Sequence, residues 1–271
     1  MNSNYPLAGR DSHPADTIIN ISGATFGDGS LQLIAGPCAI ESRDQLLTIA
    51  EAVASSGATM LRGGAFKPRT SPYAFQGLGV EAFEYLREAK ALTGLPVVTE
   101  IMEISQLPLF EDIDVIQVGA KNMQNYSLLR ALGKSSKPVL LKHGWSNTIE
   151  ELLLSAEYIL AEGNPNVILC ERGIRTFEPM TRNTFDVSAI PLLKELTHLP
   201  VIADPSHGTG RSDLVAPVSM AAVAAGADGL MLEIHDNPTC ALCDGKQAIS
   251  TKEFHKLTSA VKAIAPYAFK G

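Results

Sequence analysis

Residues able to bind metals or anions stand at the ends of short apolar runs throughout this chain. Leu31–Pro37 runs into Cys38, Thr59–Leu61 into Arg62, Val115–Ala120 into Lys121, and Val139–Leu141 into Lys142. Val167–Cys170 runs into Glu171 and Arg172, Val201–Asp204 leads to His207, and Leu230–Leu232 leads to Glu233, with Asp244 shortly beyond. Cys38, His207, Glu233 and Asp244 offer a thiolate, an imidazole and two carboxylates. That donor set is of borderline softness and suits one Mn, Fe, Co or Zn ion rather than Ca. An ion so held polarises a carbonyl oxygen as a Lewis acid. A cysteine at a strand end is often plain core, and a histidine in DPSHGTGR can simply cap a turn. Glu233 is harder to place without a cation, because a carboxylate closing the apolar run GLMLE is unfavourable to bury alone.

Arg62, Lys67, Arg69, Lys121, Lys142, Arg172 and Arg175 all fall at or just past the ends of these runs. Any one of them could lie on a solvated face, but so many on one rim of a chain with net charge −7 do not fit that reading. They call for a substrate with several negative charges, since guanidinium groups bind phosphate and carboxylate through paired hydrogen bonds. Thr70 and Ser71 in KPRTSP add hydroxyls and amides suited to a phosphate nest. A polarised carbonyl beside a polyanion site means carbon–carbon bond chemistry on phosphorylated compounds.

The elements needed to place these residues follow from the pattern. Unbroken Val/Ile/Leu runs read as parallel strands covered on both faces, and helical periodicity fills the intervals, as in Asp44–Ser56, Thr148–Glu162 (with Ser146 or Asn147 as N-cap) and Thr251–Ile264. Reactive residues at the C-terminal ends of such strands mark a (β/α)8 barrel, and 271 residues accommodate one such barrel and no second domain. Residues 1–16 are expected to be disordered, with a single catalytic barrel over 17–271. Thr17–Ser22 and Leu31–Ala35, flanking Asp28-Gly29, read as a hairpin that closes the barrel's N-terminal mouth and continues into its first strand. The acidic balance excludes nucleic acid and anionic membrane as partners, and neither a signal peptide nor a membrane span is evident. Four cysteines are too few for a disulfide framework, so a reducing, cytoplasmic location is expected. Cys240 and Cys243 form a single Cys-x-x-Cys, too little for a closed zinc site. They read as incidental loop cysteines, with oxidative pairing to Cys38 as the alternative.

The motifs GPCAIES (36–42), RGGAFKPRTSPYAFQGLG (62–79), QVGAKNMQN (117–125), LKHG (141–144), CERGIRTFE (170–178), DPSHGTGR (204–211) and EIHDNP with DG (233–245) resemble the 3-deoxy-D-arabino-heptulosonate 7-phosphate (DAHP) synthases of the type I-beta group. The resemblance runs from about residue 30 to the end. It implies a metal-dependent barrel that condenses phosphoenolpyruvate with erythrose 4-phosphate, the first step of the shikimate pathway. It implies Cys38, His207, Glu233 and Asp244 as metal ligands, and Arg62, Lys67, Lys121, Lys142 and Arg172 around phosphoenolpyruvate. Arg69, Thr70 and Ser71 would receive the sugar phosphate. Lys67, Cys38 and His207 are the candidate catalytic residues, with proton transfer by Lys67 or by a metal-bound water beside Cys38, and His143 as a further candidate; the family forms homodimers and homotetramers. Sister enzymes that make an octulosonate share the fold but carry an Asn-rich motif in place of KPRTSP. Alternatives are the same chemistry on arabinose 5-phosphate or an amino sugar, and a non-catalytic homologue that binds a metabolite. The chain departs from the group at His143, where arginine is usual, and at Asp236, where proline is usual. About thirty residues precede the barrel, fewer than the regulatory domains of many members, so insensitivity to aromatic amino acids is expected.

Overall fold

Apolar runs covered on both faces become parallel strands, and here they close on themselves. The computed structural model of the chain describes residues 4–69 and 71–269. It begins with β1 (Ile19–Ile21), β2 (Ala24–Phe26), β3 (Gln32–Gly36), α1 (Arg43–Ser55), β4 (Met60–Arg62), α2 (Glu81–Thr93), β5 (Val97–Ile101) and β6 (Val115–Val118). Then follow α3 (Tyr126–Gly133), β7 (Val139–Lys142), α4 (Ile149–Ala161), β8 (Val167–Glu171), α5 (Ala189–Leu196), β9 (Val201–Ala203), α6 (Pro205–Thr209), α7 (Ser212–Ala224), β10 (Gly229–His235), β11 (Ile249–Ser250) and α8 (Thr251–Ile264). Strands β3 to β10 pair in parallel with their neighbours in sequence, and β10 returns to β3 over the register Gly229–Gln32 to Glu233–Gly36. The result is a (β/α)8 barrel. Among the described residues, no helix is long and apolar enough to cross a membrane.

Alternation along each strand divides the core in two. Outward residues such as Leu33, Leu61, Val97, Leu141 and Leu232 pack under the helices. Inward residues Ile34, Met60, Val98, Val115, Leu140, Ile168, Ile202 and Met231 fill the barrel, and Ile19, Ile21, Ala24 and Phe26 join them. The hairpin therefore closes the N-terminal mouth, as expected, but its arms are not the expected ones. β1 pairs with β2, not with the first barrel strand. The turn is Ser22-Gly23, both at positive φ (43° and 99°), as a two-residue turn matched to strand twist requires. Asp28-Gly29 lies in the link to β3 instead.

The expected disorder of residues 1–16 is corrected over 4–16. Ala8 is fully buried, and the Leu7 and Ala8 amides donate to Glu157 of α4 at 2.9 and 2.8 Å. Gly9 bridges to Thr197, and Arg10 Nε donates to the Lys194 carbonyl at 3.0 Å. This polar segment has no periodicity to read, because its backbone groups are satisfied by distant partners rather than by an element of its own.

The N-cap of α4 is Thr148, not Ser146 or Asn147. Its side chain accepts from Glu151 N, and Glu151 returns a bond to the Thr148 amide. Thr148→Ala is expected to lower stability by about 1 kcal/mol, seen as a lower urea midpoint with unchanged slope. An unchanged midpoint would show that the cap contributes nothing.

Candidate active site

The site is assembled where strand ends converge. β3 stops at Gly36 (φ +153°), where any Cβ would collide with the Arg62 carbonyl oxygen. Glycine thus lets two strand ends approach, so that Arg62 Nη2 lies 3.4 Å from the Cys38 carbonyl oxygen. Arg62 Nη1 donates to Glu233 of β10 at 2.8 Å, and Gln247 Nε2 donates to the other Glu233 oxygen at 2.6 Å. His207 rides on the short helix α6. Asp204, the N-cap, accepts from the His207 amide at 2.9 Å and pairs with His207 Nδ1 at 2.7 Å. Asp244 adopts a left-handed backbone (φ 51°), tolerable for Asp and little else besides Gly and Asn. The donor atoms of Cys38, His207, Glu233 and Asp244 all lie within 4.8 Å of one another.

This arrangement fits a cation. Burial pushes His207 down to about 4, so the ring is neutral at ordinary pH. With its Nδ1 proton given to Asp204, the ring turns its Nε2 lone pair toward Glu233 Oε1 at 3.1 Å and Asp244 Oδ2 at 3.9 Å. A lone pair opposed to carboxylates calls for a cation between them, and a carboxylate–histidine pair is the usual support for a metal ligand. Burial also opposes charge on Glu233, yet Arg62 and Lys67 help hold it at about 2. Burial raises the Cys38 thiol well above its ordinary range, with Lys67 acting against it. Lys67 Nζ donates to Cys38 Sγ at 2.6 Å and lies 3.2 Å from Asp244 Oδ2.

Beside this cluster a cavity of about 450 Å³ opens at the C-terminal mouth. Its walls include all the cations named from sequence, Arg62, Lys67, Arg69, Lys121, Lys142, Arg172 and Arg175, together with Ser71. Thr70 lies outside the described residues. Lys142 is ion-paired with Asp204, whereas Arg172, buried at 4% exposure, has no ion pair among the described residues. Arg62 Nε is likewise buried without a partner among them.

The family model for the DAHP synthetase I family matches residues 16–268, nearly the whole barrel. The chain belongs to the DAHP synthetase I family. A phospho-2-dehydro-3-deoxyheptonate aldolase of Thermotoga maritima is 52% identical over 262 residues, covering 96% of this chain and 78% of the relative. A 2-dehydro-3-deoxyphosphooctonate aldolase of Syntrophobacter fumaroxidans is 33% identical over 256 residues, 88% of each. A solved truncated form of the Thermotoga maritima 3-deoxy-D-arabino-heptulosonate 7-phosphate synthase superposes with a TM-score of 0.91 at 47% identity, covering 97% of each chain. This DAHP synthetase I family member is an enzyme.

The family member's site holds residues that the sequence reading passed over. Cys243 is no incidental loop cysteine. It is buried, its Sγ lies 3.4 Å from that of Cys38, and it accepts from Arg69 Nη1 at 2.7 Å. All four cysteines are free, and Cys240 is exposed. Arg182 pairs with Asp244 at 3.3 Å and with Gln247 at 2.9 Å, and Trp145 lines the cavity with Gln117 and Asn183. Asp204 could have been found as the acid closing the run VIAD one turn ahead of His207. Arg182, in a loop without periodicity, carried no such signal. His143, offered as a proton-transfer candidate, does not line the cavity.

Proposed function

We propose that this enzyme condenses phosphoenolpyruvate with erythrose 4-phosphate and water, giving 3-deoxy-D-arabino-heptulosonate 7-phosphate and phosphate, with one divalent metal ion. The observation that carries this reading is Arg172, a buried guanidinium without an ion pair among the described residues, facing the same cavity as the four-donor cluster. A buried cation of that kind is tolerable only if an anion comes to it. Cys38, His207, Glu233 and Asp244 would hold the metal, which when bound supplies Lewis acidity to the aldose carbonyl.

The chain's own residues do the rest. Arg62, Lys67, Lys121, Lys142 and Arg172 bind the phosphate and carboxylate of phosphoenolpyruvate, and Arg69, Thr70 and Ser71 take the phosphate of the aldose. Held so, C3 of phosphoenolpyruvate forms a bond to the aldehyde carbon. Water adds at C2, and the C2–O bond to phosphate breaks. Lys67 stays protonated, because the Glu233 and Asp244 carboxylates help outweigh the effect of its burial, and it can deliver that proton to the developing alkoxide.

The test is inorganic phosphate release from phosphoenolpyruvate, with Mn²⁺ or chelator, offering erythrose 4-phosphate and arabinose 5-phosphate separately. Metal-dependent release with the four-carbon sugar is expected; release with the five-carbon sugar alone would reassign the acceptor. Asp204→Asn is expected to weaken metal binding by about 10- to 100-fold, the usual value of such a supporting carboxylate. Competition against a chromophoric chelator reads this directly, and unchanged affinity would count against the ligand role of His207.

A further inference from the structure

Lys142 enters the cavity, so strand alternation turns His143 the other way, beneath the rim. Its ring is 2% exposed. Nδ1 lies 2.9 Å from Glu171 Oε2, and Nε2 lies 2.9 Å from the carbonyl oxygen of Asn147. A carbonyl cannot donate. The other oxygen of Glu171 accepts from the amides of Gly173 at 2.6 Å and Asp186 at 3.3 Å. A neutral imidazole has one N–H and would leave one of these buried contacts unmade; the imidazolium satisfies both.

The ring thus joins two loops. The Asn147 contact fixes the segment after β7, which carries Trp145. The Glu171 contact fixes the segment after β8, which carries Arg172 and Arg175. These segments also meet directly, as Arg175 N donates to the Trp145 carbonyl at 2.6 Å. The Arg172 and Arg175 guanidiniums lie 5.8 and 5.7 Å from the centre of the Trp145 ring. We propose that His143 is a positioning residue, a buried imidazolium that clasps these two loops and so sets the geometry in which Arg172 meets phosphoenolpyruvate. The proposal rests on the functional reading above.

The charged surroundings support it. From β8 the ring faces Glu171. On α4, Glu151 is engaged with the Thr148 amide at 2.7 Å and Asn147 Nδ2 at 3.3 Å. Along the chain, Lys142 is paired with Asp204, and Arg172 follows Glu171. Burial opposes charge on His143, but Glu171 and the Asn147 and Thr148 carbonyls outweigh it and hold the ring above its ordinary 6.5. The clasp's contribution to stability is therefore full below pH 6.5 and is lost as pH rises through the raised value.

Trp145 is the only tryptophan in the chain, so its fluorescence reports on the clasp without turnover. Fluorescence and steady-state kinetics would be followed from about pH 6 to about pH 9 for the parent enzyme, His143→Arg and His143→Gln. In the parent, one alkaline transition in fluorescence is expected. Across it, KM for phosphoenolpyruvate should rise on the order of tenfold, within the range for a displaced binding group, with kcat at saturation little changed. His143→Arg should lose the transition, and His143→Gln should show the alkaline values at every pH. An undiminished transition in His143→Arg, or parent-like KM in His143→Gln, would overturn the proposal. Should neither variant fold, ¹⁵N NMR of the parent decides: two protonated ring nitrogens at neutral pH are expected, and one sinks the idea. Because fluorescence and NMR need no substrate, a wrong substrate assignment would leave both results intact.

Discussion

Exhaustive chelation, or Cys38→Ala, is expected to lower turnover at least about a hundredfold. A Lewis acid at a reacting carbonyl contributes several kcal/mol to transition-state stabilisation, and each 1.4 kcal/mol or so is a factor of ten in rate. The two treatments should differ in reversal. Chelated enzyme should regain activity with Mn²⁺, whereas Cys38→Ala should regain little, because the remaining imidazole and carboxylates make a harder and weaker site. Metal analysis beside the rate measurement guards against trace contamination. Full activity in protein shown to be metal-free would refute the metal role.

Arg172→Ala should raise KM for phosphoenolpyruvate roughly 30- to 150-fold, the equivalent of about 2–3 kcal/mol for a charge-assisted contact in a buried site. The KM for the aldose should move far less. The same change should leave the unfolding midpoint unchanged or raised, since it removes a buried cation that has no ion pair in the described protein. Equal effects on both substrates would place Arg172 outside the phosphoenolpyruvate subsite. A marked fall in stability would show that its packing near Trp145 matters more than its charge.

Much of this was legible in the sequence because strand period and strand end are one-dimensional signals. Where the run LMLE closes at Glu233, or VLLK at Lys142, the barrel places that residue at the mouth without further instruction. What depends on approach between distant segments was not legible. Cys243 looked like a loop residue because nothing in CALCDG announces that Asp244 turns left-handed and carries its neighbour against Cys38. His143 looked like a cavity residue because adjacency to Lys142 in sequence means opposite faces in a strand, a point the period itself could have supplied. The N-terminal strap was missed for the same reason as Arg182: its partners lie far away in the chain. Thr148 was a plainer oversight, since Thr-x-x-Glu before an apolar run is itself a capping signature.

The hairpin at the barrel's N-terminal end has a bearing on how such an enzyme can diversify. With Phe26 and its neighbours clustered with Ile34, Met60 and Met231, buried apolar side chains fill the lower part of the barrel. No substrate of any length can be housed by deepening the barrel. Changes in acceptor size must instead be met by the loops of the rim, which contribute little to the packed interior. Substrate range is thereby set mainly by stretches of sequence other than those that fill the barrel.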